Sequence, residues 1–147
     1  MDSATAITNL LYTYAERVDA GDFAGVAALL AHARVTDHSG RLDLRGAQAV
    51  QRLYEATTRR YPDTGTPKTK HVITNPILEI DEEQGTATCR SHYVVWQQTD
   101  DLPLQAIITG RYHHELLRVD GRWRIAQHRF FVDHVGDVSR HLLVELP

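Results

Sequence analysis

The sequence has little sulfur: one cysteine, Cys89, and one methionine in 147 residues. A lone thiol cannot close an intramolecular disulfide, so nothing points to an oxidising compartment. Cys89 has no basic or helical context to lower its pKa and reads as a buried strand cysteine. No run approaches eighteen consecutive apolar residues, so no membrane span is expected. The start MDSATAITNL has no basic stretch followed by an apolar one, so no signal peptide is expected either, and the expected location is cytoplasmic. The 16 Lys and Arg are scattered and the net charge is −3, which argues against a nucleic-acid footprint. Also missing are G-x-G-x-x-G, a Walker loop, G-x-S-x-G, H-E-x-x-H and any Cys-His cluster. Dinucleotide, triphosphate, serine-hydrolase and zinc chemistry therefore lack support, and neither cofactor nor metal is expected. What the chain does have is histidine, nine of them, the side chain that titrates near neutrality.

The length fits one domain, residues 1–147, able to bury about 70% of its unfolded surface and so to hold a core and an internal pocket. Ile7, Leu10, Leu11, Tyr14, Ala15 and Val18 form one stripe of an amphipathic helix, with Asp2 or Ser3 to cap it and Gly21 to stop it. Asp22 is a plausible cap for a second short helix running through Leu30. Residues 33–45 read as two short strands around Ser39-Gly40. A third helix is expected from about Ala47 to Arg60, with Val50, Leu53, Tyr54 and Thr57 on one side. The second half is β-branched, aromatic and roughly alternating over His71–Ile80, Thr86–Thr99, Leu104–Val119 and Arg122–Asp133. Helices followed by a long antiparallel meander predict an α+β fold with helices on one face of a curved sheet.

Asp120-Gly121 is a two-residue hairpin signal, and it predicts a register. Val119 would pair with Arg122, Leu116 with Ile125, His114 with Gln127, Tyr112 with Arg129 and Gly110 with Phe131. By strand alternation Tyr112, His114 and Arg129 then share an otherwise apolar face, the composition of a ligand pocket. His113, His128 and Phe130 fall on the opposite face, where the two histidines offer at most a two-ligand metal arrangement.

Tyr14 lies inside the first helix's stripe and reads as a core tyrosine with its hydroxyl satisfied by backbone. Asp19, at the edge of that stripe in the last turn, faces the negative end of the helix dipole. It is either a plain surface residue or a carboxylate tuned for proton transfer. His71 opens the first long strand and is either structural or catalytic. If Asp19 reaches it, the carboxylate would orient the imidazole and support the imidazolium.

Three stretches carry a family resemblance: Tyr14-Ala15-Glu16-Arg17-Val18-Asp19-Ala20-Gly21-Asp22-Phe23, His71-Val72-Ile73-Thr74-Asn75, and Thr109-Gly110-Arg111-Tyr112 through Asp120-Gly121-Arg122-Trp123-Arg124-Ile125-Ala126. Together they resemble the SnoaL-like group of the nuclear transport factor 2-like superfamily over about residues 5–133, with 134–147 as a C-terminal tail that closes the pocket or packs on a neighbour. The resemblance implies a cone-shaped α+β barrel, its curved sheet wrapped around the N-terminal helices over a deep apolar pocket. It also implies homodimers or homotrimers. In the subgroup with scytalone dehydratase, bile-acid dehydratase and hexachlorocyclohexane dehydrochlorinase, a helix-borne Tyr and Asp and a strand-borne His do the proton work. Tyr14, Asp19 and His71 match those positions. Arg129 resembles a late-strand arginine that assists the leaving group, whereas His114 stands where relatives often carry aspartate.

The resulting expectation is a cofactor-independent lyase, a dehydratase, acting on a hydrophobic cyclic or polyketide-like small molecule. His71 would be the base, oriented by Asp19, with Tyr14 on the developing oxyanion and Arg129, Tyr112 and His114 lining the pocket. A polyketide cyclase or isomerase would use the same base, and a non-catalytic binding or dimerisation module is the competing class. The other seven histidines read as surface or interface residues.

Overall fold

The computed structural model describes residues 1–146. Asp2 caps the first helix, its carboxylate accepting from the Thr5 N–H at 2.8 Å, and α1 runs Ser3–Asp19. Ile7, Leu11, Tyr14 and Val18 are buried, as their spacing predicts. Full burial of such side chains is worth about 1.5–3 kcal/mol each, so this stripe holds α1 against the sheet more firmly than helix propensity does. Gly21 ends the helix at φ 71°. A Cβ there would lie 2.2 Å from the Gly65 carbonyl oxygen, so both the left-handed turn and the close approach require glycine. Asp22 then caps α2 (Phe23–Leu29) through the Gly25 N–H.

Strands β1 (Arg34–Asp37) and β2 (Asp43–Arg45) flank the Ser39-Gly40 turn and lead to α3 (Ala47–Thr57). This helix stops short of Arg60 because Thr58 takes extended backbone and bridges to Leu142, a long-range pairing that no local pattern announces. Four long strands follow: β3 (Thr69–Asp81), β4 (Thr86–Thr99), β5 (Leu102–Val119) and β6 (Arg122–Val135). They form one six-stranded sheet in the order β2-β1-β6-β5-β4-β3. Every pairing is antiparallel except that β1 lies parallel to β6, which makes the sheet mixed. Register shifts in the β3–β4, β4–β5 and β5–β6 ladders bend the long strands, and the open sheet curls around the helices as a cone. The apolar core fills the space between α1, α2, α3 and the concave face. No helix among the described residues is long and apolar enough to cross a membrane.

Asp120 (φ 52°) and Gly121 (φ 76°) both take left-handed backbone, as a type I′ hairpin demands. Val119 pairs with Arg122, Arg118 with Trp123 and Leu116 with Ile125, in the predicted register. The prediction fails one residue later. Glu115 pairs with Gln127, so Ala126 is an extra residue on β6 that reverses the side-chain alternation beyond it. His114 therefore pairs with His128 rather than Gln127, Tyr112 with Phe130 rather than Arg129, and Gly110 with Val132 rather than Phe131. His128 and Phe130 turn inward, while Arg129 turns to the exposed outer face and stacks over Phe131, its guanidinium 5.0 Å from the ring centre.

Candidate active site

The cone encloses a cavity of about 430 Å³. Val35, Leu53, Val95, Ile108, Phe130 and Val132 supply apolar wall, while Tyr14, Tyr54, Tyr93, Tyr112, His71 and His141 bring polar groups to it. An apolar cavity with a few convergent polar side chains is the usual form of a small-molecule site.

The end of α1 and the start of β3 meet at Asp19. Its carboxylate accepts from the Thr69 hydroxyl at 2.9 Å and from the His71 backbone N–H at 2.8 Å, and lies 2.6 Å from His71 Nδ1. Three donors offset the unfavourable helix end that set this residue apart in the sequence. The two side chains are only 8% and 12% exposed, so little water competes for the contact. Asp19 is not part of the cavity wall, whereas His71 is; the imidazole stands between carboxylate and cavity. With Nδ1 held by Asp19, Nδ1–H is the tautomer the carboxylate selects, and Nε2 keeps its lone pair free of any described protein partner.

Tyr14 also lines the cavity, but its hydroxyl is bonded to the Tyr54 hydroxyl at 2.5 Å rather than to backbone. Of two paired hydroxyls one donates to the other, and the acceptor keeps its own O–H for a third group. Burial holds the phenols of Tyr14, Tyr54 and Tyr112 well above the ordinary value of 10, so all three remain neutral donors. Tyr112 lines the cavity and stacks on Tyr93, with ring centres 4.4 Å apart. Tyr93 spends its hydroxyl on the Phe131 carbonyl oxygen at 2.7 Å.

Two expected pocket residues lie elsewhere. Arg129 is on the outer face, carried there by the Ala126 bulge. His114 points inward but is sealed behind the wall, its Nε2 2.9 Å from His128 Nδ1. Burial lowers His128 to about 4 and His114 well below the ordinary value, so both are neutral at pH 7. The surface assignment of His128 and His141 is likewise corrected, since both are buried. A signal for His128 was present: the apolar positions of β6 switch from odd (Trp123, Ile125) to even (Phe130, Val132), which marks one inserted residue. Tyr54 shares its helix face with Val50 and Leu53, yet only the tertiary fold, with α3 packed on α2 and α2 on α1, sets it against Tyr14. Among the described residues no three His, Cys, Asp or Glu are grouped to hold a metal ion.

Solved structures define the architectural class. A nuclear transport factor 2-like protein with a cystatin-like fold from Novosphingobium aromaticivorans is 17% identical, with a TM-score of 0.73 over 93% of this chain and 86% of that one. A candidate scytalone dehydratase from the same organism is 21% identical, with a TM-score of 0.70 over 91% and 86%. ActVI-ORFA from Streptomyces coelicolor is 16% identical, with a TM-score of 0.70 over 90% and 98%. Identities this low establish the fold: this is a nuclear transport factor 2-like α+β cone. A search of curated proteins returned no match. The family model of the SnoaL-like domain matches residues 1–129, and the chain belongs to that family.

Proposed function

We propose that the protein is a cofactor-independent lyase, a dehydratase, acting on a hydrophobic cyclic or polyketide-like small molecule bound in the cavity. The observation that carries this reading is the Asp19–His71 contact at 2.6 Å, with Nε2 left free on a residue of the cavity wall. A volume of about 430 Å³ is toward the small end of ligand pockets, roughly 300–1,000 Å³, and suits a compact ring system. Membership of the SnoaL-like family and the likeness to a candidate scytalone dehydratase support it.

His71 Nε2 takes the proton from a carbon alpha to an electron-withdrawing group. The C–H electron pair becomes the new C=C bond, and the hydroxyl on the adjacent carbon leaves with the C–O pair. That oxygen takes the proton back from the imidazolium and departs as water, so the substrate loses one H₂O and the enzyme is unchanged. Asp19 holds the Nδ1–H and stabilises the transient imidazolium. The Tyr14–Tyr54 pair offers its free O–H to the oxygen on which charge develops. Acid–base assistance of this kind contributes about 10²–10⁴-fold.

A panel of hydroxylated cyclic ketones, followed by mass spectrometry for loss of water, tests the reading. His71→Ala should abolish turnover with the circular dichroism spectrum unchanged; undiminished activity would refute the assignment. Products of unchanged mass would assign the same base to isomerisation or ring closure, and binding without turnover would leave a ligand-binding module.

A further inference from the structure

The proton transfer proposed above uses one of three histidines that border the cavity, of which His38 is exposed. The third, His141, comes from the segment after β6 and is only 4% exposed. That segment is tied down on both sides of it. The Gly136 N–H donates to the Ile107 carbonyl at 2.7 Å. The Arg140 carbonyl accepts from the Tyr61 hydroxyl at 2.6 Å and from Gln97 Nε2 at 3.1 Å. The Arg59 N–H reaches the His141 carbonyl and the Leu143 N–H the Thr57 carbonyl, both at 2.9 Å.

The His141 ring centre lies 6.2 Å from that of His71, with the rings at 65°. That gap is too wide for a direct hydrogen bond and narrow enough for one small group to touch both rings. Nδ1 of His141 is sealed from solvent with no hydrogen-bond partner. A sealed ring nitrogen costs less as a bare lone pair than as an unpaired N–H, which places the proton on Nε2. Nε2 has no described protein partner either. A histidine kept only for packing would satisfy its nitrogens on backbone; this one satisfies neither, and a phenylalanine could fill the space without that cost. Burial, with His71 nearby, lowers its pKa to about 4, so the ring is neutral at pH 7.

We propose that His141 is a second substrate-binding group, whose Nε2–H donates a hydrogen bond to an oxygen of the ligand beside the carbon that His71 deprotonates. The inference rests on the function proposed above and narrows its substrate class: a ligand with an oxygen acceptor, a carbonyl or the enolate it becomes, two bonds from the acidic hydrogen's carbon. A neutral imidazole is far too weak an acid to give up that proton. The hydrogen therefore stays on Nε2 and the proton balance of the elimination is unaltered.

The probe is 4-nitrophenolate, a planar ring with one strong oxygen acceptor and an absorption band that reports on its hydrogen bonding. 4-Nitrotoluene, with a methyl in place of the oxygen, is the control. His141→Phe should weaken 4-nitrophenolate binding about 10- to 100-fold, the range for a hydrogen bond to a charged group, and leave 4-nitrotoluene within about twofold. His141→Gln, whose amide keeps a donor at similar reach, should recover most of the lost affinity. Independently, ¹⁵N NMR of histidine-labelled wild-type protein should show His141 as the Nε2–H tautomer, its Nε2 resonance moving when the probe binds. Equal loss for both probes, undiminished 4-nitrophenolate binding in His141→Phe, or an Nδ1–H tautomer would overturn the proposal. The two proposals fail separately. If no ketone is dehydrated but 4-nitrophenolate binding still depends on His141, the lyase reading falls and oxygen recognition stands. If dehydration depends on His71 while 4-nitrophenolate ignores His141, only this inference falls.

Discussion

Lowering the pH from 7 to 4 should cost this protein most of its stability, through buried histidines rather than carboxylates. His128 and His141 titrate near 4 in the folded chain, against 6.5 for an exposed histidine, because neither imidazolium can be solvated where it lies. Between those two values the unfolded chain binds protons that the folded chain does not. Stability therefore falls as pH drops through 6.5 and stops falling, for these groups, below about 4. The interval is worth about 3 kcal/mol for each histidine. Two such groups account for about 6 kcal/mol, and His114, shifted the same way, adds to it. Domains of this size are stable by only about 5–15 kcal/mol, so unfolding is expected to begin between pH 5 and 4. Urea denaturation at pH 7.0, 6.0, 5.0 and 4.5 tests this. The midpoint should fall steadily while the slope with denaturant stays constant. His141→Phe should flatten the curve by about a third to a half, with little change at pH 7. The acidic groups held below their ordinary range, such as Asp37 and Asp133, begin to matter only under that window. A flat profile from pH 6.5 to 4.5, or one that His141→Phe leaves as steep, would refute the reasoning.

Asp19→Asn should lower turnover about 10²–10⁴-fold, since an amide can neither select the Nδ1–H tautomer as firmly nor stabilise the imidazolium. The chain should still fold, because the Asn oxygen can accept from Thr69 or from the His71 N–H; steady-state kinetics beside a thermal melt separates the two effects. Gly110→Ala would place a Cβ 1.9 Å from the Phe131 carbonyl oxygen and 2.5 Å from Tyr93 Oη. That overlap must break the Tyr93 hydrogen bond or part the strands, so a loss of about 2–4 kcal/mol is expected in chemical denaturation.

Local rules carried the reading of the sequence a long way. The α1 stripe, the Asp2 and Asp22 caps and the Asp120-Gly121 hairpin are short-range features, and each formed where its residues indicated. Asp19 was visible as a carboxylate in the wrong place on its helix, and the structure sets it against His71, fifty-two residues away. What the sequence hid lies across long gaps. The Ala126 bulge moved Arg129 out and His128 in; its only trace is the change of apolar parity along β6. The end of α3 and the seat of His141 depend on each other, through pairings of Thr57, Thr58 and Arg59 with residues 141–143. No propensity or period encodes a contact of that separation.

The Ala126 bulge also makes this wall of the cavity depend on register before it depends on chemistry. Drawing Ala126 into the ladder opposite Glu115 would turn the rest of β6 over: Arg129 and Phe131 would face the core, and His128, Phe130 and Val132 the solvent. The Arg129 guanidinium would then stand opposite Tyr112, in the place of Phe130 in the cavity wall, whereas deleting Ala126 would close the ladder and leave every pair beyond it unchanged. Along this strand single substitutions can be absorbed one at a time, while a one-residue slip of register acts on every position beyond it at once. The inventory of the pocket is in that sense set by which residue stands outside the ladder, and a β6 shortened by Ala126 alone is expected to keep the same cavity wall.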